Sequence, residues 1–152
     1  MRPTIAEQLS ETRRILTDVL TPRIKDDYAL QIMRMAFSNL EMLEGAWPKV
    51  LPFLHWDNQV TLTLLGDVRG QMDADLASAV EQAEQIVSID PFDVSTLETR
   101  NAELRMLLHR AIGQCSQQER RVIQAHLLER TARYPMRPLK ASSTGTQEKK
   151  GD

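Results

Sequence analysis

His55-Trp56-Asp57-Asn58, framed by Pro52 and Phe53, sets an imidazole, an indole and a carboxylate side by side. Such a set can anchor a partner or a small ligand, because interface hot spots favour tryptophan. Its competing use is mechanical: Trp56 plugs the end of a helical bundle while Asp57 caps a helix, in keeping with the usual burial of tryptophan. Other groupings carry less. Glu41-x-x-Glu44 and Glu81-x-x-Glu84 lack the histidine that a di-iron bundle places in its Glu-x-x-His motif. His126-x-x-Glu129 holds the two residue types in reverse order, and once only. Solvated helix faces explain all three.

Metal and nucleophilic chemistry find no better footing. His55, His109, His126 and Cys115 lie on separate segments, at spacings that match no paired-ligand pattern for zinc, so neither a metal nor a cofactor is expected. Cys115 stands just ahead of a helix start, where a thiol's pKa can be depressed. A lone cysteine beside apolar residues serves more often as a small core side chain. The chain has no Gly-x-Ser-x-Gly elbow, no phosphate-cradling glycine loop and no dinucleotide fingerprint, although Gly66 and Gly70 invite a loose match. No catalytic residue is assigned.

The elements that would carry these residues are helices almost throughout. Thr4 and Glu7 form a capping-box pattern behind Pro3, and Ile5, Leu9, Leu16, Val19 and Leu20 share a face until Pro22 ends the helix. A second helix starts near Asp26-Asp27 and runs to about Gly45. It carries two adjacent apolar stripes. Ala29, Met33, Ala36, Phe37, Leu40 and Leu43 form the first, and Tyr28, Ile32, Met35, Met42 and Ala46 the second. So wide an arc is buried on more than one side. Either the helix runs through the centre of the bundle, which is the simpler expectation, or the second stripe meets another subunit.

Pro48 and Pro52 break the pattern beyond Trp47, and Asp57 is the expected cap of a third helix with Val60, Leu64, Leu65 and Val68, closed by Gly70. Asp73 caps the next run, which Asp90-Pro91 interrupts. Two further capping boxes, Ser95 with Glu98 and Ser116 with Glu119, open the last two helices. Residues 1–135 therefore read as one all-α, antiparallel bundle of five or six helices, and residues 136–152, without a large apolar side chain in their second half, as a disordered tail.

Composition narrows the classes of function. A chain of 152 residues has enough length for one core without staples, and a single cysteine rules out an intramolecular disulfide. The start Met1-Arg2-Pro3-Thr4 has no signal-peptide character, and no apolar stretch approaches the ~20 residues of a membrane span. The expectation is a cytoplasmic protein without a membrane partner. Residues 1–115 hold 11 Lys and Arg against 17 Asp and Glu, whereas residues 116–152 hold 8 against 4. The basic end has no aromatic residue in its tail to stack on bases, which argues against nucleic acid as a partner.

Arg2-Pro3-Thr4 leading into a helix with Glu and Leu, followed by Arg34-x-Ala36-x-x-Asn39-Leu40, resembles a family of short all-helical bacterial proteins of unknown function. Its members tend to be encoded beside kinases of the aminoglycoside-phosphotransferase type and acyl-CoA dehydrogenases. The resemblance covers roughly the first 45 residues and does not extend past Trp47. It implies an accessory or partner role and points to Arg34 and Asn39 as polar positions of interest. Together with the missing catalytic set, the two-stripe helix leads to a non-enzymatic interaction protein, self-associating as a homodimer or docking on a metabolic enzyme. The alternative is a small-molecule binder or enzyme with an interhelical pocket near His55 and Trp56.

Overall fold

The computed structural model describes residues 2–86 and 90–136. Among them every regular element is helical: α1 (Ile5–Ile15), α2 (Asp27–Val68), α3 (Ala74–Gln85), α4 (Val94–Ile112) and α5 (Gln117–Arg133). The expected disorder of residues 137–152 lies outside the described residues. The chain divides into two compact units, one built on residues 1–44 and the other on residues 45–135, so that α2 contributes to both.

The first unit begins as its sequence expects. Thr4 accepts from the Glu7 backbone N–H at 3.2 Å while the Glu7 carboxylate accepts from the Thr4 N–H at 2.7 Å. Pro22 does not simply end the helix. The coil first widens to a π-turn over Leu16–Leu20, with the Thr21 N–H reaching Leu16 O, and then tightens to a 3-10 turn over Thr21–Arg23. The Thr21 hydroxyl also donates to Leu16 O, at 2.9 Å. Arg13 of α1 forks between Glu41 and Glu44 of α2, at 4.0 and 3.4 Å, which gives the Glu-x-x-Glu pair its partner. No residue between 2 and 45 is buried.

Helix α2 runs 42 residues and takes Pro48 and Pro52 into its interior, so the break expected after Gly45 does not occur. Both prolines are exposed, and they stand four residues apart on one side of the helix. There the ladder hydrogen bonds they forfeit can be replaced by water. With the helix continuous, Asp57 cannot cap anything, and it instead lies deep in the middle of α2. Gly66 admits a close approach to α3, since a Cβ there would meet a Glu84 carboxylate oxygen at 3.0 Å.

The second unit holds the core. Leu65 and Val68 of α2 meet Leu76 and Val80 of α3, Leu104 and Leu108 of α4, Cys115, and Ile123 of α5. A smaller cluster joins Phe53 and Leu54 to Leu97, with Trp56 packed at its margin. Asp73 caps α3 and Ser116 with Glu119 boxes α5, both as expected. Helix α4 departs from expectation: Asp93, not Ser95, is its cap, and its carboxylate takes the Ser95 N–H at 3.0 Å and the Thr96 hydroxyl. Asp93 comes two residues earlier with a stronger acceptor, so Ser95 and Glu98 fall inside the helix. At the other end of α3, the buried Arg100 donates to the carbonyl of Ala83, one of the last-turn carbonyls that a helix leaves unpaired.

Candidate functional site

Asp57 lies at the centre of the densest polar cluster. Its position follows from α2 periodicity: Asp57, Thr61, Leu65 and Val68 form one inward stripe, polar in its first half and apolar in its second. Helix α4 presents Leu97, Asn101, Leu104 and Leu108 in the same manner, and α5 presents Ile123, His126 and Arg130. The polar ends of these three stripes meet.

The wholly buried Asp57 Oδ2 accepts from Arg130 Nε at 2.8 Å and from Asn101 Nδ2 at 2.7 Å. Asn101 Nδ2 also donates to Asn58 Oδ1 at 2.8 Å, and Asn58 Nδ2 donates to the Leu97 carbonyl at 3.1 Å. The buried His126 brings Nε2 within 3.4 Å of Asp57 Oδ1 and 3.2 Å of Thr61 Oγ1. Desolvation lowers its pKa, and Arg130 pushes the same way, against the opposing pull of Asp57 and Glu129. Aromatic rings close the cluster. Arg130 sits 5.5 Å from the Phe53 ring and 5.9 Å from that of Tyr134, and Arg133 lies 4.4 Å from the Trp56 ring. Such stacking suits the weakly hydrated guanidinium.

Histidine, aspartate and threonine in contact suggest a nucleophile with its base, but the geometry is wrong for that. A relay needs the carboxylate on one ring nitrogen and the hydroxyl on the other. Here both face Nε2, and Nδ1 has no hydrogen-bond partner among the described residues. All the polar groups except the edge of Arg130 are buried, which leaves no place for a reacting atom. The cluster ties α2, α4 and α5 together.

The sequence-designated residues divide accordingly. Asp57 and the half-buried Trp56 join the tie, whereas His55 points elsewhere, exposed, with Nε2 donating to the Pro91 carbonyl at 2.7 Å. Arg34 and Asn39 are both exposed, and among the described residues neither makes a side-chain hydrogen bond or ion pair. His126 lies in the core, so the solvated face expected for it is corrected; Glu129 does face solvent. Cys115 is buried too, and desolvation raises its pKa, with Glu119 adding to the rise. That is the reverse of activation by a helix N-terminus. Sequence reasoning missed Asn101, His126 and Arg130. The available signal was a polar side chain at an inward position of an otherwise apolar stripe.

The exposed surface carries two features of another kind. On α2, Tyr28 is 72% exposed, Ile32 47% and Met35 64%. Asn39, Leu43 and Trp47 continue this row at helical spacing, all exposed. The second stripe of this helix is therefore uncovered over its first half, although Met42 is half-buried and Ala46 buried. On α4 and α5 there is a groove of about 660 Å³ whose walls include Arg105, Met106, His109 and Leu127, and neither His55 nor Trp56 lines it. No group of three or more His, Cys, Asp or Glu among the described residues could hold a metal ion. No described helix is long and apolar enough to cross a membrane. Comparison with protein-family models, with curated proteins and with solved structures finds nothing that matches this chain.

Proposed function

We propose that the chain is a non-enzymatic interaction protein that associates with itself through the uncovered apolar face of α2. One observation carries this reading: Tyr28, Ile32 and Met35 stand in register on one helix face, largely exposed, in a segment without a single buried residue. Fully burying a side chain of this size is worth about 1.5–3 kcal/mol. A helix in a protein draws most of its stability from packing an apolar face, and in this stretch even the covered side, with Met33, Ala36, Phe37 and Leu40, is only half-buried. Covering the stripe with a second surface adds to that packing. The uncovered stripe also fits the accessory role that the resemblance implies, since such a protein works through contact and not through chemistry.

Oxidative footprinting of the full chain over a concentration series tests the reading. Tyr28 and Met35 are expected to become protected as concentration rises, while Phe92, 79% exposed in the turn before α4, stays equally reactive. Unchanged labelling of Tyr28 and Met35 in a chain that remains monomeric would overturn it.

A further inference from the structure

The uncovered row on α2 is complementary to itself. Tyr28, Ile32, Met35 and Asn39 follow at steps of four, three and four residues, the spacing by which one helix seats on another. That order of steps is the same read from either end. The chemistry is symmetric too: the Tyr28 phenol stands at one end and the Asn39 amide at the other, with Ile32 and Met35 between them. All four side chains are exposed, and among the described residues neither the phenol nor the amide makes a hydrogen bond.

The surroundings keep the row free and neutral. Its flanks are Ala29 and Ala36 on one side and Gln31 and Ser38 on the other, all of them uncharged. The charges of this stretch, Asp27, Arg34 and Glu41, recur every seven residues on a different side of the helix. Arg13 of α1 reaches Glu41 and Glu44, so that contact lies away from the row. The open face ends before Ala46, which is buried.

We propose that the row packs antiparallel on the same row of a second copy, about a two-fold axis between the levels of Met33 and Arg34. Tyr28 of each chain then lies opposite Asn39 of the other, and Ile32 opposite Met35. Each amide, which gives up water on burial, faces a phenol that can both donate and accept. Such a contact is isologous and closes as a dimer. A parallel partner, carried past Leu43, would meet a face already buried from Ala46 on. The antiparallel partner stops short of it, because its helix begins at Asp27, which falls opposite Leu40. This inference rests on the self-association proposed above, and it names the surface that covers the row and the direction in which it runs.

Single cysteines placed in the full chain and oxidised in a glutathione buffer test it, with the parent, whose Cys115 is buried, as the control. Tyr28→Cys mixed with Asn39→Cys is expected to give a disulfide-linked dimer, and neither variant alone is. In the antiparallel pair the two copies of either position stand about 16 Å apart along the axis, beyond the reach of a disulfide. Ile32→Cys mixed with Met35→Cys, expected to link faster than either alone, serves if loss of the phenol or the amide weakens the dimer. Linking of the Tyr28 or the Asn39 variant with itself, without gain on mixing, means a parallel pair and overturns this inference with self-association intact. Failure of both mixtures to link, while the parent sediments as a dimer, means that something else covers the row and rejects it likewise. A parent chain that is monomeric at high micromolar concentration overturns both readings.

Discussion

Asp57 and Arg130, 73 residues apart in the chain, meet with Oδ2 and Nε at 2.8 Å, the carboxylate wholly buried and the guanidinium at the edge of solvent. The pair joins α2 to α5 at the polar end of a unit whose other end is apolar. Removing one member leaves the other's charge or donors without a partner. Asp57→Ala is therefore expected to cost about 3 kcal/mol or more, the usual penalty for breaking a buried pair. Urea unfolding followed by circular dichroism measures it. A loss below about 1 kcal/mol, the scale of an exposed ion pair, would mean that the contact is not a structural tie.

His126 makes stability depend on pH. Burial holds its pKa below the ordinary histidine value of about 6.5, so as pH falls the unfolded chain takes up the proton first. The groups acting on the ring are Asp57 and Thr61 of α2 and Arg130 of α5, with a weaker pull from the exposed Glu129, and desolvation outweighs them. Stability from this source is complete above about pH 6.5 and is lost as pH falls through the lower folded value. Urea midpoints of the parent are expected to drop between about pH 7.5 and about pH 5.5, and those of His126→Gln to drop less. Equal slopes in the two proteins would exclude the histidine as the cause. The depressed pKa values of the caps Asp73 and Asp93 act in a separate, more acidic window, where stability is lost as those carboxylates protonate.

Pro48 and Pro52 weaken the helix that they inhabit. An interior proline costs about 3 kcal/mol relative to alanine, through a missing hydrogen bond and a clash with the carbonyl four residues back. Both are exposed, so replacement disturbs no packing. Pro48→Ala is expected to raise stability by at least about 1 kcal/mol, after discounting the local relaxation that the folded chain already shows. A destabilised variant in thermal melts would mean that these prolines set a geometry the fold requires.

Cys115 is expected to resist thiol reagents while the chain is folded. Its side chain is buried in the core, and desolvation favours the thiol over the reactive thiolate. Labelling kinetics with a disulfide reagent should therefore be slow in buffer and fast in denaturant. Rapid labelling of the native protein would place the thiol at the surface.

How far these features are legible in the sequence depends on the range over which each is decided. The Thr4–Glu7 and Ser116–Glu119 boxes and the Asp73 cap are settled within three or four residues, and the local pattern finds them. Pro48 and Pro52 mislead, because the penalty for an interior proline is outweighed by the packing of the continuous α2 stripe below them. Asp57 misleads for the same reason: a carboxylate after a proline-rich stretch has the pattern of a cap until Asn101 and Arg130 are known to face it. Ser95 lost its position to Asp93, which bonds to both Ser95 and Thr96. The second stripe of α2 is plain in the sequence, but whether anything covers Tyr28 and Met35 depends on where the remaining helices go. Residues 45–135 pack about α2 from Ala46 onward, and the residues before it stay half-buried or exposed.

The α2 stripe is the centre of this account, and native mass spectrometry of the full chain tests it most directly. The parent is expected to register at twice the chain mass, and Ile32→Asp with Met35→Asp, two changes at exposed positions, at the mass of one chain with its helical spectrum retained. A parent that registers as a single chain, or a doubly substituted protein that stays dimeric, would contradict the claim that this face is where the protein makes its contact.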